Sequence, residues 1–157
     1  MRRSATLRTA AVMLFAVVLM GCQRVTYSDC RTISDGWDKD SLFSFVFDID
    51  DANVLYKTSI IVRNTDEYPN QNIWLFVDEV SPAGDVQRDT LQYFLADDLG
   101  RWRGSGIGSI YECECIYRPQ QKFHKAGQYT LRITQGMRQS PLKGICEVGV
   151  KVVPIDN

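Results

Sequence analysis

Histidine is nearly absent from this chain: His124 is the only one among 157 residues. A multi-histidine metal site cannot be built from it. Imidazole catalysis has a single candidate, which sits in the basic turn Lys122-Phe123-His124-Lys125 ahead of a strand and reads as a surface residue. An excess of either charge is also missing, with 18 Lys and Arg against 19 Asp and Glu. That excludes the basic footprint of a nucleic-acid binder and the composition of an acidic disordered tail. There are no internal repeats and no low-complexity linker, so the length leaves room for one core. Helical patterning is missing as well, because no window after residue 22 spaces apolar residues by three and four between caps. Neither Ser105 nor Ser109 lies in a Gly-x-Ser-x-Gly elbow. No catalytic residue, cofactor or metal centre is expected.

One uncharged apolar run is present, Thr9 to Met20, behind Arg2, Arg3 and Arg8. It has the length of a secretory h-region and is short for a membrane-spanning helix. Leu19-Met20-Gly21-Cys22 then resembles the bacterial lipobox, with Met20 an uncommon choice. Residues 1–21 are therefore read as a lipoprotein signal peptide, with Cys22 lipidated and residues 22–157 forming a single lipid-anchored domain. Ordinary cleavage, with Cys22 a coincidental thiol, and a retained membrane helix are the alternatives. Without the three arginines the remaining chain holds four more acidic than basic residues. Several acyl chains would anchor it stably, each buried CH₂ contributing about 0.8 kcal/mol.

Export places the other cysteines, Cys30, Cys113, Cys115 and Cys146, where disulfides can form. Cys113 with Cys115 is the least favoured pair, since residues two apart on a strand lie near the upper limit of disulfide Cα spacing. Two bridges from Cys113 and Cys115 to Cys30 and Cys146, or one bridge and two buried thiols, remain open. The spacings supply no C-x₂₋₄-C pair for zinc.

Almost everything after Cys22 carries strand patterning. Phe43, Phe45 and Phe47 alternate onto one face; Thr58 to Arg63 and Ile73 to Val80 are β-branched or aromatic runs. Ser81-Pro82-Ala83-Gly84-Asp85 turns the chain into Val86 to Leu95 as a hairpin. Ile110 to Tyr117, Gln128 to Gln135 and Ile145 to Val153 follow, the last placing Cys146 on the core face with Val148, Val150 and Val152. Helix is confined to a turn near Asp97-Asp98-Leu99. The fold class is all-β: an antiparallel β-sandwich, jelly-roll-like, of seven to eight strands.

The stretch Gly100-Arg101-Trp102-Arg103-Gly104-Ser105-Gly106-Ile107-Gly108-Ser109 invites a phosphate-loop reading, but its spacing and the absence of a strand–helix unit exclude one. It reads as a long connection with Trp102 covering the end of the sandwich. Arg101, Trp102 and Arg103 are the candidate partner contacts, because aromatic and Arg residues are favoured interface anchors. Asp48, Asp50, Asp51, Asp97 and Asp98 allow a calcium site or a glycosidase pair to be imagined, yet nothing fixes their geometry and they read as solvated turns.

The run Leu95-Ala96-Asp97, Gly100-x-Trp102-x-Gly104-Ser105-Gly106-Ile107-Gly108-Ser109-Ile110-Tyr111, Gly127-x-Tyr129, Gln135-Gly136-Met137-Arg138 and Leu142-Lys143-Gly144-Ile145 resembles the gliding-motility lipoprotein GldH family of Bacteroidota. The lipobox, Trp74-Leu75-Phe76-Val77, Pro82-x-Gly84 and Asp89-Thr90 fit the same pattern, over nearly all of the mature chain. Cys113, Cys115 and Cys146 depart from it, so any disulfide would be a local feature. The resemblance implies a non-enzymatic envelope lipoprotein supporting assembly or stability of the gliding apparatus, itself linked to type IX secretion. Its expected partners are the membrane, through Cys22, and other envelope proteins met by the Trp102 loop or an exposed sheet edge. Surface-exported lipoproteins of the phylum resemble one another in an acidic run after the cysteine; Gln23-Arg24-Val25-Thr26 lacks it, so an outer-membrane anchor facing the periplasm is expected. The alternative is a glycan- or cell-wall-binding sandwich using Trp37 and Trp102, Trp74 being assigned to the core.

Overall fold

Period-two alternation makes nine strands and, among the described residues, no helix. The computed structural model describes residues 25–155; the expected signal segment 1–21 and the lipidation candidate Cys22 lie outside the described residues. The strands are β1 (Tyr27–Thr32), β2 (Phe43–Ile49), β3 (Leu55–Thr65), β4 (Asn72–Val80), β5 (Val86–Phe94), β6 (Ser105–Ile107), β7 (Ile110–Lys122), β8 (Gly127–Gln135) and β9 (Ile145–Ile155). They form two antiparallel sheets, β1-β9-β3-β7-β6 and β2-β8-β4-β5. Set aside the three-residue β6, and the orders 1-9-3-7 and 2-8-4-5 are those of a jelly roll. Beyond the seven runs legible in the sequence, the sheets recruit β1 and β6.

The core lies between the sheets. One sheet contributes Phe45, Phe47 and Ile49 from β2, Ile73, Leu75 and Val77 from β4, and Tyr129, Leu131 and Ile133 from β8. Ile60 and Val62 of β3 and Val148, Val150 and Val152 of β9 face them from the other sheet. Phe47, Tyr56, Phe123 and Tyr129 cluster at one end with ring centroids 4.6 to 6.2 Å apart. Trp37 fills the opposite end, fully buried, its indole edge-on to Phe43 at 5.4 Å and its Nε1–H donated to the Ser41 carbonyl at 3.0 Å.

Two sequence expectations about side-chain direction are corrected. Trp74 points outward and is 38% exposed, because β4 buries Ile73, Leu75 and Val77 and its opposite parity faces water. Cys146 does not reach the core: β3–β9 pairing skips a residue between Arg63↔Glu147 and Asn64↔Ile145, and this bulge sends Ile145 inward in its place.

The outer face of the five-stranded sheet is knitted by charge. Glu114 on β7 accepts from Lys57 at 2.9 Å, Ser59 at 2.9 Å and Lys151 at 3.2 Å. Arg63 on β3 pairs with Glu112 at 2.6 Å and with Glu147. The Lys57 hydrogen bond, helped by Ser59 and Lys151, pulls the Glu114 carboxyl down to about 2.

Two outcomes follow from this geometry. Trp37→Ala is expected to cost about 3–5 kcal/mol by denaturant midpoint, and Trp74→Ala about 1 kcal/mol or less. Because the Glu114 value falls on folding, its contribution is present above about pH 4.5 and is lost as pH drops toward 2. Glu114→Gln is therefore expected to be less stable than the parent at pH 7, the gap closing over that acid window in a series of urea melts.

Candidate functional site

The loops divide between two ends. β1 enters with Tyr27 opposite Val152, which lies opposite Thr58. Toward the other end, β3 runs on to Thr65 opposite Ile110, beside the β6–β7 hairpin. Seven residues of strand separate Thr58 from Thr65, on the order of 23 Å. The connections 33–42, 66–71, 95–104 and 136–144 all lie at the hairpin end, far from where the chain enters.

One buried amide ties this distal end together. Gln135, at the end of β8 and 2% exposed, donates to the carbonyls of Trp37 at 3.3 Å and Gln139 at 2.9 Å and accepts the Met137 N–H at 2.6 Å. Trp37 also pairs with Leu142 through two backbone hydrogen bonds of 2.9 Å. Among the described residues no buried side-chain nitrogen or oxygen is left without a partner.

The segment holding Arg101, Trp102 and Arg103 is a closed turn running into a hairpin. Asp97 Oδ1 accepts the N–H groups of Leu99 and Arg101 at 3.0 and 2.9 Å, and Oδ2 accepts Arg101 Nε at 2.8 Å. The Arg101 N–H, then its guanidinium, holds the Asp97 carboxyl below its ordinary range. Trp102 pairs with Ala96 as an isolated bridge, donates Nε1–H to Asp66 at 3.1 Å and packs near Tyr68 and Tyr111, centroids 6.3 and 5.9 Å away. It covers the end of the sandwich, whereas Arg101 and Arg103 are exposed. Gly104 and Gly106 allow close backbone approach: a Cβ at either would stand 2.5 Å from a carbonyl oxygen of β7. Gly108, φ +69°, turns the hairpin. At its tip Ile107 is 94% exposed, and Leu99 in the preceding turn is 78% exposed. Sequence reasoning passed over both apolar residues, although an isoleucine between two glycines is itself a signal.

The carboxylates imagined as a site do not converge. Asp48 lies on the outer side of β2, Asp51 caps the Asn53 N–H at 2.8 Å, and Asp97 closes its own turn. No group of three or more His, Cys, Asp or Glu is placed to hold a metal among the described residues.

The cross-strand bridges expected of the cysteines do not fit this strand order. β7 is separated from β1 by β3 and β9, about 14 Å, and from β9 by β3, about 10 Å, beyond disulfide reach. Cys113 and Cys115 also face the core while Cys30 rests outside over Gly149. All four are free thiols, and the least favoured pair is the close one, Cys115 donating to Cys113 at 3.5 Å. That hydrogen bond and the nearby Arg103 pull the Cys113 thiol below its ordinary range; Cys115, keeping the shared proton in a buried place, is pushed up. Burial raises Cys30 and Cys146.

Fold and surface thus define a jelly-roll module with elaborated loops at one end. A family model described as GldH lipoprotein matches residues 25–152. The chain belongs to the GldH lipoprotein family. It is 31% identical over 155 residues to the gliding motility lipoprotein GldH homolog of Christiangramia forsetii, covering 93% of this chain and 95% of that one. It is 29% identical over 149 residues to gliding motility lipoprotein GldH of Flavobacterium johnsoniae, covering 90% and 92%. Among solved structures, the insecticidal delta-endotoxin Cry8Ea1 of Bacillus thuringiensis matches at TM-score 0.41 and 15% identity, over 74% of this chain and 19% of its own. A likeness at that level carries no argument.

Alkylation checks the thiol geometry: between about pH 8.5 and 7 the iodoacetamide rate of Cys113 is expected to fall less than those of Cys30 and Cys146 by peptide mapping, and Arg103→Gln to narrow that difference.

Proposed function

We propose that this protein is a non-enzymatic, lipid-anchored adaptor of the gliding apparatus, supporting its assembly or stability through protein contacts made at the distal loops. The observation that carries the reading is the polarity of the fold. With Cys22 as the anchor, the five residues to Tyr27 span at most about 18 Å, so the entry end stays near the bilayer. The loop carrying Arg101, Trp102 and Arg103 then projects away from it, toward whatever the envelope presents. Membership of the GldH lipoprotein family supports the gliding context, and the lack of an acidic run after Cys22 supports an outer-membrane anchor facing the periplasm.

Within that loop the roles divide. Trp102 is spent on Asp66, Tyr68 and Tyr111, so it shapes the turn. The surface offered to a partner is Arg101 and Arg103 with the apolar Leu99 and Ile107. Exposed isoleucine and leucine gain by burial against a partner at about 25 cal/mol per Å².

A photo-crosslinking side chain at Ile107 or Leu99, in intact cells, is expected to capture a component of the gliding or type IX secretion machinery, and Ile107→Asp to reduce that component's co-purification several-fold without lowering stability. Capture only from Gln128, exposed at the entry end, would move the contact away from the distal loops.

A further inference from the structure

Both outer faces of the sandwich carry ion pairs and exposed apolar residues, Ile110 and Ile116 on the five-stranded sheet among them, but only the four-stranded sheet sets two aromatic rings side by side. On the five-stranded sheet, opposite charges satisfy one another. The four-stranded sheet instead turns outward Trp74 and Phe76, 38% and 42% exposed, at successive outward positions of β4 about 7 Å apart. Gln92 lies opposite Trp74, and Thr90 and Thr134 flank Phe76. Gly136 lets the backbone lie close against both residues: a Cβ there would stand 3.1 Å from the Phe76 ring and 3.3 Å from the Trp74 Cβ, closer than ordinary contact. The Met137 sulfur accepts the Trp74 N–H at 3.3 Å and fixes the wall.

The result is a groove of about 510 Å³, lined around the two rings by Asn70, Asn72, Arg138 and Gln139. Past Phe76 it continues into a depression of about 300 Å³ that ends at the ion pair of Asp78 with Arg88, 2.6 and 2.7 Å. From Asn72 to Asp78 the trough runs about 20 Å. Its main chamber contains no carboxylate, and Arg138 is its only charged residue.

This composition selects a ligand class. A docked helix or strand needs deep apolar pockets or free backbone groups, and the floor of this groove is β4, whose backbone is paired on both sides by β5 and β8. Two half-sunken aromatic rings bordered by amides and hydroxyls, which both donate and accept, suit a flat ligand with C–H groups on its faces and hydroxyls at its edges. We propose that the outer face of the four-stranded sheet binds an oligosaccharide chain, sugar rings lying on Trp74 and Phe76 while Asn72, Thr90 and Gln92 hydrogen-bond the ring hydroxyls. The site differs from the tryptophans a glycan reading of the sequence selects: Trp37 is sealed in the core and Trp102 is held by Asp66. It borders the distal loops at Asn70, Arg138 and Gln139 but includes none of Leu99, Arg101, Arg103 and Ile107, so either contact can fail alone.

The test is titration of the full-length lipoprotein, in a sugar-free zwitterionic detergent, with chitohexaose, cellohexaose and a hyaluronan hexasaccharide, followed by tryptophan fluorescence and calorimetry. At least one is expected to bind below about 1 mM. Trp74→Ala/Phe76→Ala is expected to weaken it at least about tenfold. Thr90→Arg, which fills the groove and leaves both rings in place, is expected to do the same with an unchanged melting temperature. No binding of any of the three at about 5 mM, or binding that survives both variants, overturns the proposal.

Discussion

The distal half of this molecule depends on the side chain of one residue, Gln135. A neutral amide buried at the end of β8 would cost several kcal/mol if unpaired. Here its amide nitrogen holds the carbonyls of Trp37 and Gln139 while its oxygen takes the N–H of Met137. The loop before β2 and the loop after β8 are thereby locked to one another, with Trp37 sealed beneath them. The same amide sets Met137 against β4, where its sulfur receives the Trp74 N–H. One buried hydrogen-bonding group thus fixes both the loops at the distal end and a wall of the groove on the adjoining sheet. An apolar residue could fill the space but could not specify three loop positions at once.

The sandwich itself was legible because alternation is a local property. Phe43 to Phe47, Gln128 to Gln135 and the β4–β5 hairpin form as their patterns require. What could not be read was direction. In Ile73-Trp74-Leu75-Phe76-Val77 every residue is apolar, so the pattern marks a strand without saying which parity faces in. The choice of Ile73, Leu75 and Val77 is made by the neighbouring strands, which bury that face against the other sheet. Cys146 was misplaced for a related reason: one extra residue in β9 reverses parity, and a bulge leaves no mark in a run of apolar residues. Trp37 stands outside any strand and forms an isolated bridge with Leu142, more than a hundred residues on, so its burial is a tertiary fact.

The Gly-rich segment was legible in position and less so in role. Its glycines are explained by contacts within one hairpin, since Gly104 and Gly106 admit the backbone of β7. Trp102 packs on Tyr68 and Tyr111 at the end of the sandwich, which leaves it only partly exposed. The exposed residues beside it, Leu99 and Ile107, were hidden from a reading that ranked aromatics and arginines as anchors.

The two outer faces sharpen the argument for a ligand on the four-stranded sheet. Both are made of strands of similar length and both meet solvent, so solubility alone does not account for their difference. On one, Glu114 serves Lys57, Ser59 and Lys151 together, and the backbone beneath is covered by long charged side chains. On the other, two neighbouring aromatic rings stay half-exposed, with the backbone of Gly136 lying against them. Exposed aromatic area is not needed to stabilise β4, whose opposite parity is already fully buried. The groove opens sideways while the Trp102 loop points along the strands, so the domain's shape permits a chain held along its flank and a protein met at its tip without mutual exclusion.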